Sequence, residues 1–180
     1  GRARDDRVAE RLAADGMPLK PSGSPYAVPP GTLRTDAGTP YQVFTPFSRA
    51  WRDHGAPVPL PVPEGLRWHH GAGGERLEAR AAEGAGEEAA QARWQDFLHD
   101  DLAGYATDRD RPDRDATSRL SAALKLGELH PRTLLADLAG VSGPGSPASE
   151  GARTFTTELC WREFYADVLW HHPGSAWGDL

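Results

Sequence analysis

The chain of 180 residues has a single cysteine, Cys160, and only two lysines, Lys20 and Lys125. One cysteine excludes an intramolecular disulfide and fits a reducing compartment, so we expect a cytoplasmic protein. No apolar run approaches the ~20 residues that a membrane-spanning helix needs, so we expect no membrane partner. The net charge of -6 provides no bulk attraction to phosphate, so any contact with nucleic acid would depend on locally placed arginines.

The sequence also lacks the motifs of several catalytic classes. It contains no Cys-x-x-Cys, no His-Glu-x-x-His and no ordered Ser/His/Asp set. The pairs His69-His70 and His171-His172 are adjacent in sequence, so their side chains diverge on a strand or a helix, and we predict no metal site. The glycines at 71–86 follow no strand and do not fit Gly-x-Gly-x-x-Gly, which favours a flexible linker over a phosphate loop.

Helix signals lie on both sides of a middle section rich in proline and glycine. The pattern predicts a short helix over 4–14 and a second helix over 46–53, with Thr45 as its N-cap and proline at its first position. Residues 55–88 are predicted to be an extended linker, because the alternating prolines near its start exclude a helix.

After residue 89 we predict that helices dominate. Further helices are expected over 120–129, 131–139 and 155–171, with a Gly/Pro/Ser loop at 141–150. The first helix of this half is predicted from an apolar stripe at helical spacing, formed by Trp94, Phe97, Leu98, Leu102 and Tyr105.

The last of these helices has two distinct stripes. The apolar stripe is formed by Cys160, Phe164 and Val168. The other stripe, at i, i+3, i+4 and i+7, is formed by Glu158, Trp161, Arg162 and Tyr165. Burying charged groups is unfavourable unless they are paired or used, and an aromatic ring beside an arginine offers a flat surface to a planar ligand. From the pattern alone, a buried Glu158–Arg162 pair under Trp161 is an equal alternative.

Hydroxyl groups precede the helix predicted at 120–129. Thr117 and Ser118 lie just before it and Ser121 one turn on, an arrangement that can bind phosphate through hydroxyls and backbone N–H groups. From spacing alone, ordinary N-capping, worth about 1 kcal/mol, is the favoured interpretation. From the local sequence alone, Tyr105 is interpreted as a core residue, and Arg109 as a surface arginine in a loop of mixed charge.

Three runs taken together resemble a known family. They are Tyr-Gln-Val-Phe-Thr-Pro-Phe-Ser-Arg-Ala-Trp at 41–51, Thr-Ser-Arg-Leu-Ser-Ala-Ala-Leu-Lys-Leu-Gly-Glu-Leu-His-Pro-Arg at 117–132, and Thr-Glu-Leu-Cys-Trp-Arg-Glu-Phe-Tyr at 157–165. In this order they resemble the DNA photolyase/cryptochrome family, and most closely a class I cyclobutane pyrimidine dimer photolyase.

The resemblance implies a mainly α fold with an α/β tail. Residues 1–54 would be the C-terminal part of an α/β antenna-binding domain, 55–88 the interdomain linker, and 89–180 the N-terminal part of an all-helical FAD-binding domain. The chain would then be an internal piece that ends before the family's electron-relay tryptophans, so none of its six tryptophans is assigned to that relay. We expect the 180-residue chain alone to bind FAD poorly and to be inactive.

The resemblance also assigns sites. FAD contacts are implied for Tyr105, Thr117, Ser118, Arg119, Leu120, Ser121 and Arg162. DNA contacts are implied for Arg109, Glu158, Leu159, Cys160, Trp161, Arg162, Glu163, Phe164 and Tyr165. Two of these are the implied catalytic residues: Trp161 as the wall for a flipped pyrimidine dimer, and Glu158 as its hydrogen-bond partner.

The implied activity is light-driven repair of UV-damaged DNA by a monomeric enzyme. Reduced FAD would donate an electron to the cyclobutane dimer, the ring would split and the electron would return. A second antenna chromophore, folate or deazaflavin, is implied between the domains. The substrate could also be the (6-4) product. The alternative function is a cryptochrome-like blue-light receptor that binds FAD and signals through a partner.

Overall fold

The computed structural model describes residues 2–61, 63–67 and 84–177, and all regular structure in these ranges is helical. The elements are α1 (Arg2–Ala14), α2 (Phe44–His54), α3 (Glu87–Asp96), a π-helical turn (Phe97–Asp101), α4 (Tyr105–Asp108), α5 (Ser121–Leu126), α6 (Pro131–Val141), α7 (Ser149–His171) and a 3-10 turn (Pro173–Ala176).

The mainly helical expectation is confirmed, whereas the described ranges contain no strand of an α/β tail. The division into domains stays a prediction. The pair His69-His70 and most of the linker glycines lie outside the described residues. Within the described part of the chain, no helix combines the length and the apolarity needed to cross a bilayer.

The core of the second half forms around Trp94, which is fully buried. Its indole Nε1 donates a hydrogen bond to Oδ2 of Asp137 on α6 at 2.8 Å. Phe155 of α7 lies at the centre of the aromatic cluster, with ring centroids 5.3 Å from Trp94, 5.1 Å from Phe97 and 5.3 Å from Tyr105. The apolar stripe predicted from the sequence is therefore largely buried, with Leu98 at its edge.

A π-helical turn interrupts this stripe. The N–H of Leu102 donates to the carbonyl of Phe97 at 2.9 Å, five residues back, so the turn holds one residue more than an α-turn. Leu102 and Tyr105 stay buried although the helix does not continue through residues 102–104. The spacing predicted the buried face correctly but not the change of helix type.

α7 begins at Ser149, six residues before its predicted start, so part of the predicted 141–150 loop is helical. Gly151 packs against the backbone of Leu102, where an added Cβ would lie 1.7 Å from the Leu102 carbonyl oxygen. α6 was predicted to end at residue 139 but continues to Val141, so Gly140 lies inside that helix. Gly151 is therefore required by a close contact, whereas Gly140 is only tolerated inside its helix.

The first half of the chain packs on the C-terminal half of α7. Phe47 and Trp51 of α2 are buried there, in a cluster completed by Ala27, Val28, Leu33, Cys160 and Phe164. α2 begins at Phe44 with Val43 as its N-cap, so the prediction that Thr45 caps this helix is wrong. The second cluster therefore joins residues that are more than 100 positions apart in sequence.

Cys160 provides a direct test of this packing. Its side chain is fully buried, and burial raises the pKa of its thiol to about 12. Since the thiolate is the reactive form, we expect Cys160 of the folded full-length protein to resist iodoacetamide at about pH 8 and to react readily in guanidinium chloride. Mass spectrometry of the peptide containing Cys160 would measure this. Labelling in native buffer as fast as in denaturant would contradict the buried position.

Candidate functional site

A cavity of about 460 Å³ opens between α7 and the segment that leads into α5. We call it the α5–α7 cavity. Its lining is Tyr105, Thr117, Ser118, Arg119, Leu120, Ser121, Leu124, Phe155, Glu158, Leu159 and Arg162. All seven residues predicted to bind the cofactor are in this set, together with Glu158, one of the two predicted catalytic residues.

The hydroxyl-bearing wall is not built as a helix cap. α5 has only six residues, its N-cap is Leu120, and no side chain caps it. The hydroxyls of Thr117, Ser118 and Ser121 line the cavity, and none has a hydrogen-bond partner within the described residues. The alternative of ordinary N-capping is therefore not what the structure shows, and the three hydroxyls are available to a ligand.

Arg119 gives this wall its shape. It is the only non-glycine residue in the described ranges with positive φ, at 52°, a conformation that is unfavourable for a side chain with a Cβ. Its guanidinium pairs with Asp115 at 2.7 Å, while the next residue, Leu120, is buried in the core. Backbone strain of this kind, of order 1–3 kcal/mol, clusters at ligand sites in proteins.

Arg109 and Glu158 form an ion pair at the cavity. The Nη1 of Arg109 donates to Oε1 of Glu158, and this hydrogen bond raises the pKa of Arg109. The guanidinium also lies 5.8 Å from the ring centroid of Tyr105, whose pKa is raised by burial. Glu158 therefore pairs with Arg109 from the end of α4, and the alternative of a pair with Arg162 on its own helix is wrong.

Arg162 has a different environment. Its Nη2 donates to the carbonyl of Leu124 at 3.1 Å and to that of Pro25 at 3.5 Å, and its guanidinium carbon lies 4.6 Å from the ring centroid of Tyr26. Its Nη1 is buried and has no hydrogen-bond partner within the described residues. An N–H that is buried without an acceptor is unfavourable. The residue as a whole is half-buried and lines the cavity, so its guanidinium is a candidate donor to a ligand there.

Four of the predicted DNA contacts on α7 require correction. Leu159, Cys160, Glu163 and Phe164 are only 3%, 0%, 2% and 6% exposed. Leu159, Cys160 and Phe164 belong to the two core clusters. The carboxylate of Glu163 is buried against Ala27, Val28 and Trp51, so no DNA strand reaches any of the four side chains in this conformation. Only the exposed face of a helix can contact a partner, whereas the run 158–165 was assigned to DNA as a continuous stretch.

Trp161 is half-buried and does not line the α5–α7 cavity. Its ring stacks on Phe44, with centroids 3.5 Å apart and planes at 6°, and on Tyr165, at 5.6 Å and 25°. Tyr165 itself is 59% exposed. The three rings form an aromatic surface beside the cavity. Phe44 is the member that the sequence did not identify, because nothing in the local pattern pairs α2 with α7.

Glu163 fixes the N-terminal segment at 24–31 to α7. Its two carboxylate oxygens accept hydrogen bonds from the N–H of Ala27 at 2.5 Å, the N–H of Val28 at 3.0 Å and the indole of Trp51 at 2.7 Å. One turn later, Asp167 accepts from the N–H of Gly31 at 2.6 Å. Two carboxylates four residues apart beside an apolar stripe are the sequence signal that could have identified this contact.

Comparison with family models and with curated proteins gives consistent matches. Residues 1–64 match the family model described as DNA photolyase. The chain is 39% identical over 182 residues to a deoxyribodipyrimidine photo-lyase of Thermus thermophilus, covering 98% of this chain and 39% of that protein. It is 33% identical to the deoxyribodipyrimidine photo-lyase of Vibrio cholerae, covering 94% of this chain and 39% of that protein.

Comparison with solved structures agrees. The crystal structure of a bacterial class III photolyase from Agrobacterium tumefaciens aligns with a TM-score of 0.71 and 30% identity, covering 96% of this chain and 39% of that chain. The chain thus spans about 39% of the length of the relatives that it matches. The expectation of class I in particular stays a prediction, since this structural neighbour is of class III.

Proposed function

Because this chain belongs to the DNA photolyase family, we propose that the protein containing it uses FAD and light to split cyclobutane pyrimidine dimers in DNA. One observation supports this most strongly. The α5–α7 cavity gathers the seven residues assigned to FAD with Glu158, the carboxylate assigned to the dimer. These residues come from three separate parts of the sequence.

The residues of the cavity fit a dinucleotide. Three hydroxyls without partners and the guanidinium of Arg162 can donate hydrogen bonds to phosphate and ribityl oxygens. The left-handed backbone conformation of Arg119 determines the path of the segment at 117–121 that lines the cavity. Tyr105 contributes an aromatic side chain. When bound and reduced, FAD would supply the light-driven electron that repair requires. The residues of this chain would bind and orient the cofactor.

Glu158 would act from the lining of this cavity, and Arg109 through its ion pair with Glu158. Their ion pair holds the carboxylate in a fixed place, where it can accept hydrogen bonds from the N–H groups of a flipped pyrimidine. The guanidinium is paired with Glu158 and its Nε lies 3.6 Å from Asp110, so its contribution to DNA binding would be a hydrogen bond to phosphate and not a local positive charge.

Trp161 and Tyr165 belong to this proposal as DNA contacts on the aromatic surface beside the cavity. Stacking of an exposed base on an aromatic side chain is worth about 1–3 kcal/mol. Since Phe44 stacks on the indole, the described conformation supports a surface role for Trp161 more than a role as the cavity wall. A folate or deazaflavin antenna, a monomeric state and a cytoplasmic location complete the proposal and rest on the family resemblance and composition.

Blue-light repair of UV-irradiated oligothymidylate by the full-length, flavin-reconstituted protein tests the proposed function. We expect light-dependent loss of dimers, and a repair rate at least about tenfold lower in Glu158→Gln, since one hydrogen bond to a charged group is worth about 1.5–3 kcal/mol. Glu150→Gln is the matched control, because Glu150 lies on the same helix with its side chain 72% exposed. FAD binding with no loss of dimers in the wild type would instead indicate a light receptor.

A further inference from the structure

Arg162 is held from one side by the N-terminal segment at 24–31. The carbonyl of Pro25 accepts from its Nη2, and the ring of Tyr26 lies 4.6 Å from the guanidinium carbon. The remaining contact, with the carbonyl of Leu124, comes from α5. Tyr26 does not line the α5–α7 cavity, but it contacts Arg162, which does.

The 24–31 segment is itself fixed to α6 and α7. The ring of His130 bonds the carbonyl of Ser24 at 2.8 Å, and its other nitrogen accepts from the N–H of Arg132, so the neutral ring donates to Ser24 through Nε2. The Nε of Arg132 donates to the carbonyl of Ala27 at 3.0 Å. Together with the bonds that Glu163 receives, these contacts fix the backbone on both sides of Tyr26.

An arginine side chain has many rotamers, and its binding to a ligand improves when neighbouring groups select one of them. The aromatic face of Tyr26 attracts the guanidinium and leaves its N–H edge free for hydrogen bonds. In this arrangement Nη2 is used by backbone carbonyls, and Nη1 is buried without a hydrogen-bond partner among the described residues. The tyrosine thus restricts the orientation of a guanidinium that lines the cavity.

We propose that Tyr26 is a positioning residue for the cofactor, which holds the Arg162 guanidinium in its place in the lining of the α5–α7 cavity. This inference rests on the proposed function, because it takes FAD as the ligand. It extends the binding site to a residue about 80 positions before the first lining residue, Tyr105.

The test measures FAD affinity of the full-length protein by fluorescence titration. We expect Tyr26→Met, which keeps apolar bulk but removes the aromatic face, to weaken binding about three- to tenfold. Tyr26→Phe should bind as the wild type does, because the hydroxyl of Tyr26 has no hydrogen bond within the described residues. Tyr41→Met is the matched control, since Tyr41 is also half-buried and contacts Phe47 away from the cavity.

A double-mutant cycle separates positioning from general loss of structure. In an Arg162→Met background, Tyr26→Met should have no further effect on FAD affinity. An equal loss in both backgrounds, or no loss in the wild-type background, would overturn the proposal. If Tyr26→Met does not fold, Tyr26→Leu gives the same comparison, and wild-type affinity in Tyr26→Leu would equally refute the role of the ring. A wild-type protein that binds no FAD would refute the proposed function as well.

Discussion

Gly151→Ala should destabilise the protein by about 3 kcal/mol or more, although it adds one methyl group to a helix. An added Cβ would lie 1.7 Å from the carbonyl oxygen of Leu102, and the atom in its way is backbone, which cannot rotate aside as a side chain can. Overpacking a core usually costs about 1–3 kcal/mol, and a clash with the backbone belongs at the upper end. Urea unfolding of the full-length protein would show a lower midpoint with an unchanged slope.

The same substitution at Gly140 is the matched control. Gly140 lies inside α6, and a Cβ there would meet nothing within 4 Å. Since alanine is the better helix former, Gly140→Ala should be neutral or stabilising by up to about 1 kcal/mol. Equal midpoints for the two variants would show that α7 does not pack on Leu102 as described.

The loss at Gly151 should extend to the cavity. α7 contributes Phe155, Glu158 and Arg162 to the cavity lining, and Gly151 fixes the N-terminal end of that helix against Leu102. A shift of the helix would move these residues relative to the wall at 117–121. We therefore expect Gly151→Ala to weaken binding of any ligand in the cavity even below the temperature at which it unfolds.

Local periodicity predicted most of what the fold buries. Trp94, Phe97 and Phe47 are buried because apolar side chains at helical spacing must face a core, and this follows from a single stretch of sequence. The start of α7 could not be predicted in this way, because Gly, Ser and Pro are typical of loops. Only the long-range contact with Leu102 shows why a glycine is needed inside that helix.

The candidate site, like the fold, could be predicted from the sequence only in part. The cavity residues predicted from the family run do lie together, whereas the partner of Glu158 was not predicted, because the i+4 spacing favoured Arg162 on the same helix. Arg109 competes successfully since the end of α4 brings its guanidinium to the carboxylate. The carboxylate of Glu163 was assigned to DNA from its place in the run, but its three donors come from residues over 100 positions away.

Glu163→Ala should lower the free energy of unfolding by about 4 kcal/mol. The carboxylate is 2% exposed and accepts hydrogen bonds from two backbone N–H groups and the Trp51 indole. Its removal leaves these donors buried without an acceptor, at about 1–3 kcal/mol for each, and leaves a cavity. Glu163→Gln should lower the free energy of unfolding by about half as much. Its amide oxygen still accepts a hydrogen bond, but its amide NH₂ faces an N–H donor. The exposed Glu150→Ala should change stability by no more than about 0.5 kcal/mol.

The pH dependence distinguishes this role from that of an ordinary ion pair. Burial raises the pKa of Glu163, although its three hydrogen bonds act in the opposite direction. The folded state therefore binds the proton more tightly than the unfolded state. The resulting stability is fully present below the unfolded pKa, and it is lost as the pH rises through the folded pKa. The advantage of the wild type over Glu163→Gln should therefore shrink from acid towards neutral pH. An advantage that grows with pH would show that the hydrogen bonds to the carboxylate outweigh the effect of burial and lower its pKa in the folded state.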